Sequence, residues 1–219
     1  VSAKSIRGRF LLGVLFHVAI GLFGCAGNFA ARRAGIPILG ECGLAPSFAQ
    51  ATQLKRWQSF PIDVAVDVSS FPAEFRKAYL EGVARGAGLW SEATGGRIGS
   101  VRIHYEEREA PISISLSEIP LPDRAIGATA LNVMGSRILR ATVSLTRSRF
   151  EGTAFLAQDV ASTTAHEMGH ALGIVDHSPQ AEDKMWVSGN FGVANEGRDP
   201  SYLITPSDVN TLEEAYCRR

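Results

Sequence analysis

The chain has 219 residues, 45% of them hydrophobic and 20% charged, and its 22 Lys and Arg balance 22 Asp and Glu. That is apolar material enough for one well-buried core, which excludes a chain disordered throughout. A formal net charge of zero removes the basic field that draws proteins to nucleic acid, so no nucleic-acid partner is expected.

Residues 1–25 differ in kind from the rest. Lys4, Arg7 and Arg9 precede an apolar run from Phe10 to Cys25, broken only by His17 and glycines, and these are the charged and hydrophobic regions of an export signal. Its end has three readings. Leu22-Phe23-Gly24-Cys25 resembles a lipoprotein signal, Ser47-Phe48-Ala49 fits a small-x-small cleavage site, and the weakly apolar stretch to Ala31 approaches the length of an uncleaved anchor. Each reading puts the remainder outside the cytoplasm, secreted, periplasmic or lipid-anchored, with membrane contact only through this segment. Residues 26–53 mix Gly, Pro, Ala and Arg without periodicity and read as a linker. With Cys25 lipidated or removed, Cys42 and Cys217 remain as one possible disulfide pair, and a plain linker thiol at Cys42 is the alternative.

Residues 54–219 read as one domain. Phe60, Ile62, Val64, Val66 and Val68 alternate with Pro61, Asp63, Ala65 and Asp67, the period of a strand with one buried face. Ser70 and Pro72 signal a helix start, and Phe75, Tyr79, Val83, Ala87 and Trp90 keep helical spacing until Gly95-Gly96. Val101, Ile103 and Tyr105 alternate again, which sets His104 on the opposite face as a solvated strand histidine. Strands follow at Ile112–Leu116, Ile126–Val133 and Leu139–Leu145, with no further long helix among them.

The stretch from Thr153 to His177 holds three of the five histidines. His166 and His170 are four apart in a helical segment, so their rings leave one face a turn apart and can share a metal ion. Glu167 flanks that ion without binding it, where a carboxylate can take a proton from activated water. Gly173 supplies the left-handed residue that ends the helix, and Asp176 and His177 lie just beyond. Two helical imidazoles, one ligand from the next loop and an open fourth position make the layout of one catalytic zinc ion.

The sequence HEMGHALGIVDHS, with DKMW downstream, resembles the zinc-binding region of the metzincin peptidases, and is most similar to small bacterial matrixin-like peptidases. The resemblance covers roughly Trp57 to Tyr216. It implies an α+β zincin fold, a mostly parallel twisted sheet with long helices, and a zinc endopeptidase acting on protein or peptide substrates. It makes His166, His170 and His177 the zinc ligands, Glu167 the general base and Met185 the methionine packed beneath the metal. Snapalysin-like metzincins carry Asp where Asp176 stands, so Asp176 is the rival third ligand. The resemblance further implies that the strand from Ala125 to Met134 lies at the sheet edge beside the cleft, and that Val187 to Tyr202 shapes the specificity pocket. Thr205-Pro206-Ser207-Asp208 would open the closing helix with a capping box. Cys42 in ECGLAP is similar to the cysteine with which matrixin propeptides block zinc, but Glu41 and Ser47 stand where that motif has Arg and Asp. Two other classes fit the same residues: a zinc-containing binding module without turnover, and a zinc hydrolase of a non-peptide amide.

Overall fold

A computed structural model describes residues 47–50, 53–106, 108–122, 125–146, 157–187 and 204–216. The export segment, Cys42, Cys217 and residues 188–202 of the expected pocket loop lie outside these. Five strands form one sheet among the described residues: β1 (Ile62–Val66), β2 (Val101–His104), β3 (Ile112–Leu116), β4 (Gly127–Met134) and β5 (Arg137–Leu145). Their order is β2-β1-β3-β5-β4, parallel throughout except for β4, which runs antiparallel to β5 at the edge. With α1 (Arg76–Ala93), α2 (Ala157–Leu172) and α3 (Pro206–Tyr216), the class is α+β. No helix among the described residues is long and apolar enough to cross a membrane.

The alternating residues of β1, β3 and β5, such as Val64, Ile114 and Val143, face a core shared with Tyr79, Val83 and Trp90 of α1 and Met168 and Leu172 of α2. β1 has parallel neighbours on both sides, and strands so placed tend to be covered on both faces. Ala65, expected on the solvent face, is accordingly buried. On β2, His104 is half-buried and its Nε2 lies 2.9 Å from Asp63 Oδ1 on the neighbouring strand. That contact and the paired Arg102 guanidinium hold the Asp63 carboxyl below the usual carboxylate range.

The first helix begins later than Ser70 and Pro72 suggest. Asp67 Oδ1 accepts from Ser69 N at 3.0 Å and Ser70 N at 3.3 Å, which winds Val68–Ser70 into a short 3-10 turn, and α1 starts only at Arg76. Its end is where the glycines place it, with Gly95 and Gly96 at φ of 61° and 77°. Before β1, Phe48 N donates to Thr211 Oγ1 at 3.2 Å and Ala49 is buried, so residues 47–50 pack against α3.

α2 is buried on nearly every side, which its small residues permit. A Cβ at Gly82 would stand 2.6 Å from Ala157 O, and one at Gly86 would strike Ala161 O and come within 2.7 Å of Thr164 Cβ. The two glycines, one turn apart on α1, therefore let the helices touch backbone to side chain. A helix end leaves four carbonyls without intrahelical partners. In α2 all four are met: Gly169 O by Ile174 N at 3.0 Å, His170 O by Gly173 N at 3.0 Å, Ala171 O by Trp57 Nε1 at 2.8 Å and Leu172 O by Tyr216 Oη at 2.7 Å. The first two bonds are the Schellman pattern, and Gly173 makes it with φ of 129°.

The crossing predicts opposite signs for two glycines on one helix. Glycine to alanine in a helix interior gains ~1 kcal/mol of propensity, whereas overpacking against a backbone carbonyl costs about 1–3 kcal/mol. Outside the helix backbone, a Cβ at Gly88 would meet nothing nearer than Glu92 Oε1 at 4.0 Å. In urea unfolding, Gly88→Ala should raise the midpoint and Gly86→Ala should lower it.

Candidate metal centre

The site begins with the register of α2. His166 and His170 leave one face a turn apart, and their ring centroids are 5.0 Å apart at 80°. The stop at Gly173 then turns the chain back and delivers His177, whose Nε2 lies 3.3 Å from His170 Nε2. The ligand atoms of all three histidines fall within 4.8 Å of one another, close enough to bind one metal ion. A tetrahedral ion with nitrogens at ~2.0–2.1 Å keeps them about 3.3–3.4 Å apart, a separation that the His170 and His177 pair already has.

Backbone carbonyls fix the two helical rings. His166 Nδ1 lies 2.7 Å from Lys184 O, and His170 Nδ1 lies 2.6 Å from Ile174 O. A carbonyl only accepts, so each Nδ1 carries the proton and donates, which leaves each Nε2 lone pair for a metal. Burial pushes the imidazolium form out of reach, lowering His166 to about 3 and His170 to about 4. Burial lowers His177 as well. Three neutral imidazoles with convergent nitrogens are the protonation state that metal binding needs.

Glu167 points from α2 toward β4 and is 5% exposed. Its Oε2 accepts from Thr129 Oγ1 at 2.7 Å, and the same hydroxyl is 3.1 Å from Glu167 O. Burial pushes the carboxyl up to about 7, while the Thr129 bond pulls the other way. β4 comes this close because residue 127 lacks a side chain: a Cβ there would lie 2.6 Å from Glu167 Oε1 and 2.8 Å from Thr163 Cγ2.

Met185 is fully buried, with its thioether against Gly169 of α2. A Cβ at Gly169 would run into its Sδ and stand 2.6 Å from Trp90 Cζ2, so Gly169 makes the room that Met185 fills. Asp208 holds this turn from α3. Its Oδ2 accepts from Lys184 N at 2.7 Å and its Oδ1 from Met185 N at 3.1 Å. Thr205 N donates to Asp208 Oδ2 at 2.9 Å and Asp208 N to Thr205 Oγ1 at 3.2 Å, which is the capping box. A chain of contacts thus runs from α3 through Asp208 and the Lys184 backbone to the His166 ring.

Of the residues singled out from sequence, His166, His170 and His177 come together, Glu167 adjoins His166 on α2, and Met185 packs against Gly169 between the two helical histidines in sequence. Asp176 is half-buried and is not among the residues whose ligand atoms converge. Thr129, Gly127 and Gly169 escaped the sequence reading, and so did the second role of Asp208. Only Asp208 left a signal there, as a helix cap. No protein-family model matches the chain, and no curated protein matches it.

The cluster predicts the outcome of a paired substitution. His177→Ala should lose tight metal binding, whereas Asp176→Ala should retain it, as read by titration of the metal-free protein with zinc. Retention by the first variant and loss by the second would hand the third ligand to Asp176.

Proposed function

We propose that this chain is a zinc-dependent endopeptidase of metzincin type, similar in kind to bacterial matrixin-like peptidases and acting outside the cytoplasm on protein or peptide substrates. The observation that carries the reading is the convergence of three neutral imidazoles beside one buried carboxyl group that stands outside their cluster. A purely structural zinc site closes its fourth position with a fourth protein ligand, and among the described residues no fourth His, Cys, Asp or Glu joins the group.

His166, His170 and His177 would hold the ion through Nε2, with Nδ1 of the first two anchored on backbone oxygens. Zinc bound there supplies Lewis acidity, which polarises a scissile carbonyl and makes water acidic near neutral pH. Glu167 receives the proton of the attacking water on its carboxylate and passes it to the nitrogen of the leaving amine. Desolvation favours proton acceptance, because burial raises the Glu167 carboxyl above the usual carboxylate range. β4 is an edge strand, so the backbone groups on its side away from β5 can pair with an extended peptide. That pairing would carry the substrate past Glu167, which β4 already touches through Thr129.

The basic residues before the apolar run of residues 10–25 support export, and balanced charge supports no nucleic-acid role. A binding module without turnover would have no chemical use for Glu167 in this position. The proposal predicts that Glu167→Gln keeps its zinc while casein hydrolysis falls on the order of 10²-fold or more. Near-normal proteolysis by the zinc-loaded variant would remove Glu167 from the mechanism, and a wild-type protein inert with zinc bound would remove the peptidase reading.

A further inference from the structure

We infer that Thr129 is a positioning residue of the proposed peptidase site, and that its hydroxyl holds the carboxylate of Glu167 in the orientation in which it handles the proton. The inference rests on the peptidase reading and adds to it a residue outside the metal-binding motif.

Gly127 and Thr129 are two apart on β4, so both face α2, and both meet the same side chain. Gly127 gives space: any larger residue would press on Oε1 and Cγ of Glu167. Thr129 gives a donor, 2.7 Å from Oε2. A hydroxyl has one proton to give, and the other acceptor in reach, Glu167 O, is farther at 3.1 Å and carries no full charge. The proton therefore goes to the carboxylate. With Oε2 occupied and Oε1 flanked by Gly127, a side chain with three rotatable bonds keeps one arrangement.

β4 is also an edge strand. One strand would then align the substrate backbone and orient the base, so the two are set in register by a single element.

Three variants test this: Thr129→Val, which keeps the branched shape and loses the proton, Thr129→Ser, which keeps the proton, and Glu167→Ala. With zinc-loaded protein and a peptide substrate, Thr129→Val should lower kcat on the order of tenfold, the usual worth of a bond to a charged group, with KM and zinc content unchanged. Thr129→Ser should restore kcat. In zinc-free protein, the shifts in urea midpoint of Thr129→Val and Glu167→Ala should be non-additive in the double variant. An unchanged kcat in Thr129→Val, an equal loss in Thr129→Ser, loss of zinc, or additive midpoints would each overturn the assignment. A wild-type protein that binds zinc and cleaves no peptide would overturn the peptidase reading instead, and this inference with it.

Discussion

A helix carrying two imidazoles a turn apart offers a metal two ligands, and a third arrives only if the chain reverses within a few residues. The stop at Gly173 imposes that reversal. Its φ of 129° suits glycine, and a Cβ at this position would collide with Lys55 O, so conformation and packing demand the same residue. From the stop follow two contacts at once: Ile174 O arrives where it accepts from His170 Nδ1, and His177 arrives beside His170 Nε2. Trp57 and Tyr216, from opposite ends of the domain, close the remaining carbonyls of the same turn. The geometry of the cluster is thereby tied to the core, because neither aromatic residue can leave without stranding a buried carbonyl, at a cost of about 1–3 kcal/mol each.

Burial of α2 is the second constraint. A helix surrounded on all sides must be narrow where its neighbours approach, and the narrowness comes from both partners: Gly82 and Gly86 on α1, Gly169 on α2 itself, and Gly127 on β4. The same burial sets the electrostatics. It keeps His166 and His170 neutral and lifts Glu167 toward 7, so one physical cause acts on both the candidate ligands and the proposed base. Any change that admits water around α2 would relax all three shifts together.

How much of this was legible in sequence depends on the range of the interaction. The spacing of His166 and His170, the stop at Gly173, the alternation in β3 and, from Ala141 to Leu145, in β5, and the Thr205 to Asp208 capping box are local, and the chain states them. Leu139, read onto the same face of β5, is instead exposed and Ile138 buried, beside the register irregularity with β4. The edge position of β4 came from the metzincin resemblance. The start of α1 was misplaced because Ser70 is an ordinary cap residue by composition, and only its hydrogen bond to Asp67 commits it to a separate turn. Thr129 reaching Glu167, or Asp208 reaching Lys184 and Met185, spans 38 and 23 to 24 residues. No periodicity encodes such pairings. The carbonyls that orient His166 and His170 belong to backbone, which has no letter in the sequence at all.

The central claim is that three imidazoles bind one ion. X-ray absorption on the zinc-loaded protein measures this directly, since imidazole rings leave a distinct multiple-scattering pattern. One zinc per chain is expected, with three imidazole nitrogens at about 2.0–2.1 Å and one further light atom that exchanges with solvent. Two imidazoles with a carboxylate oxygen, four protein ligands, or no zinc bound at all would contradict it.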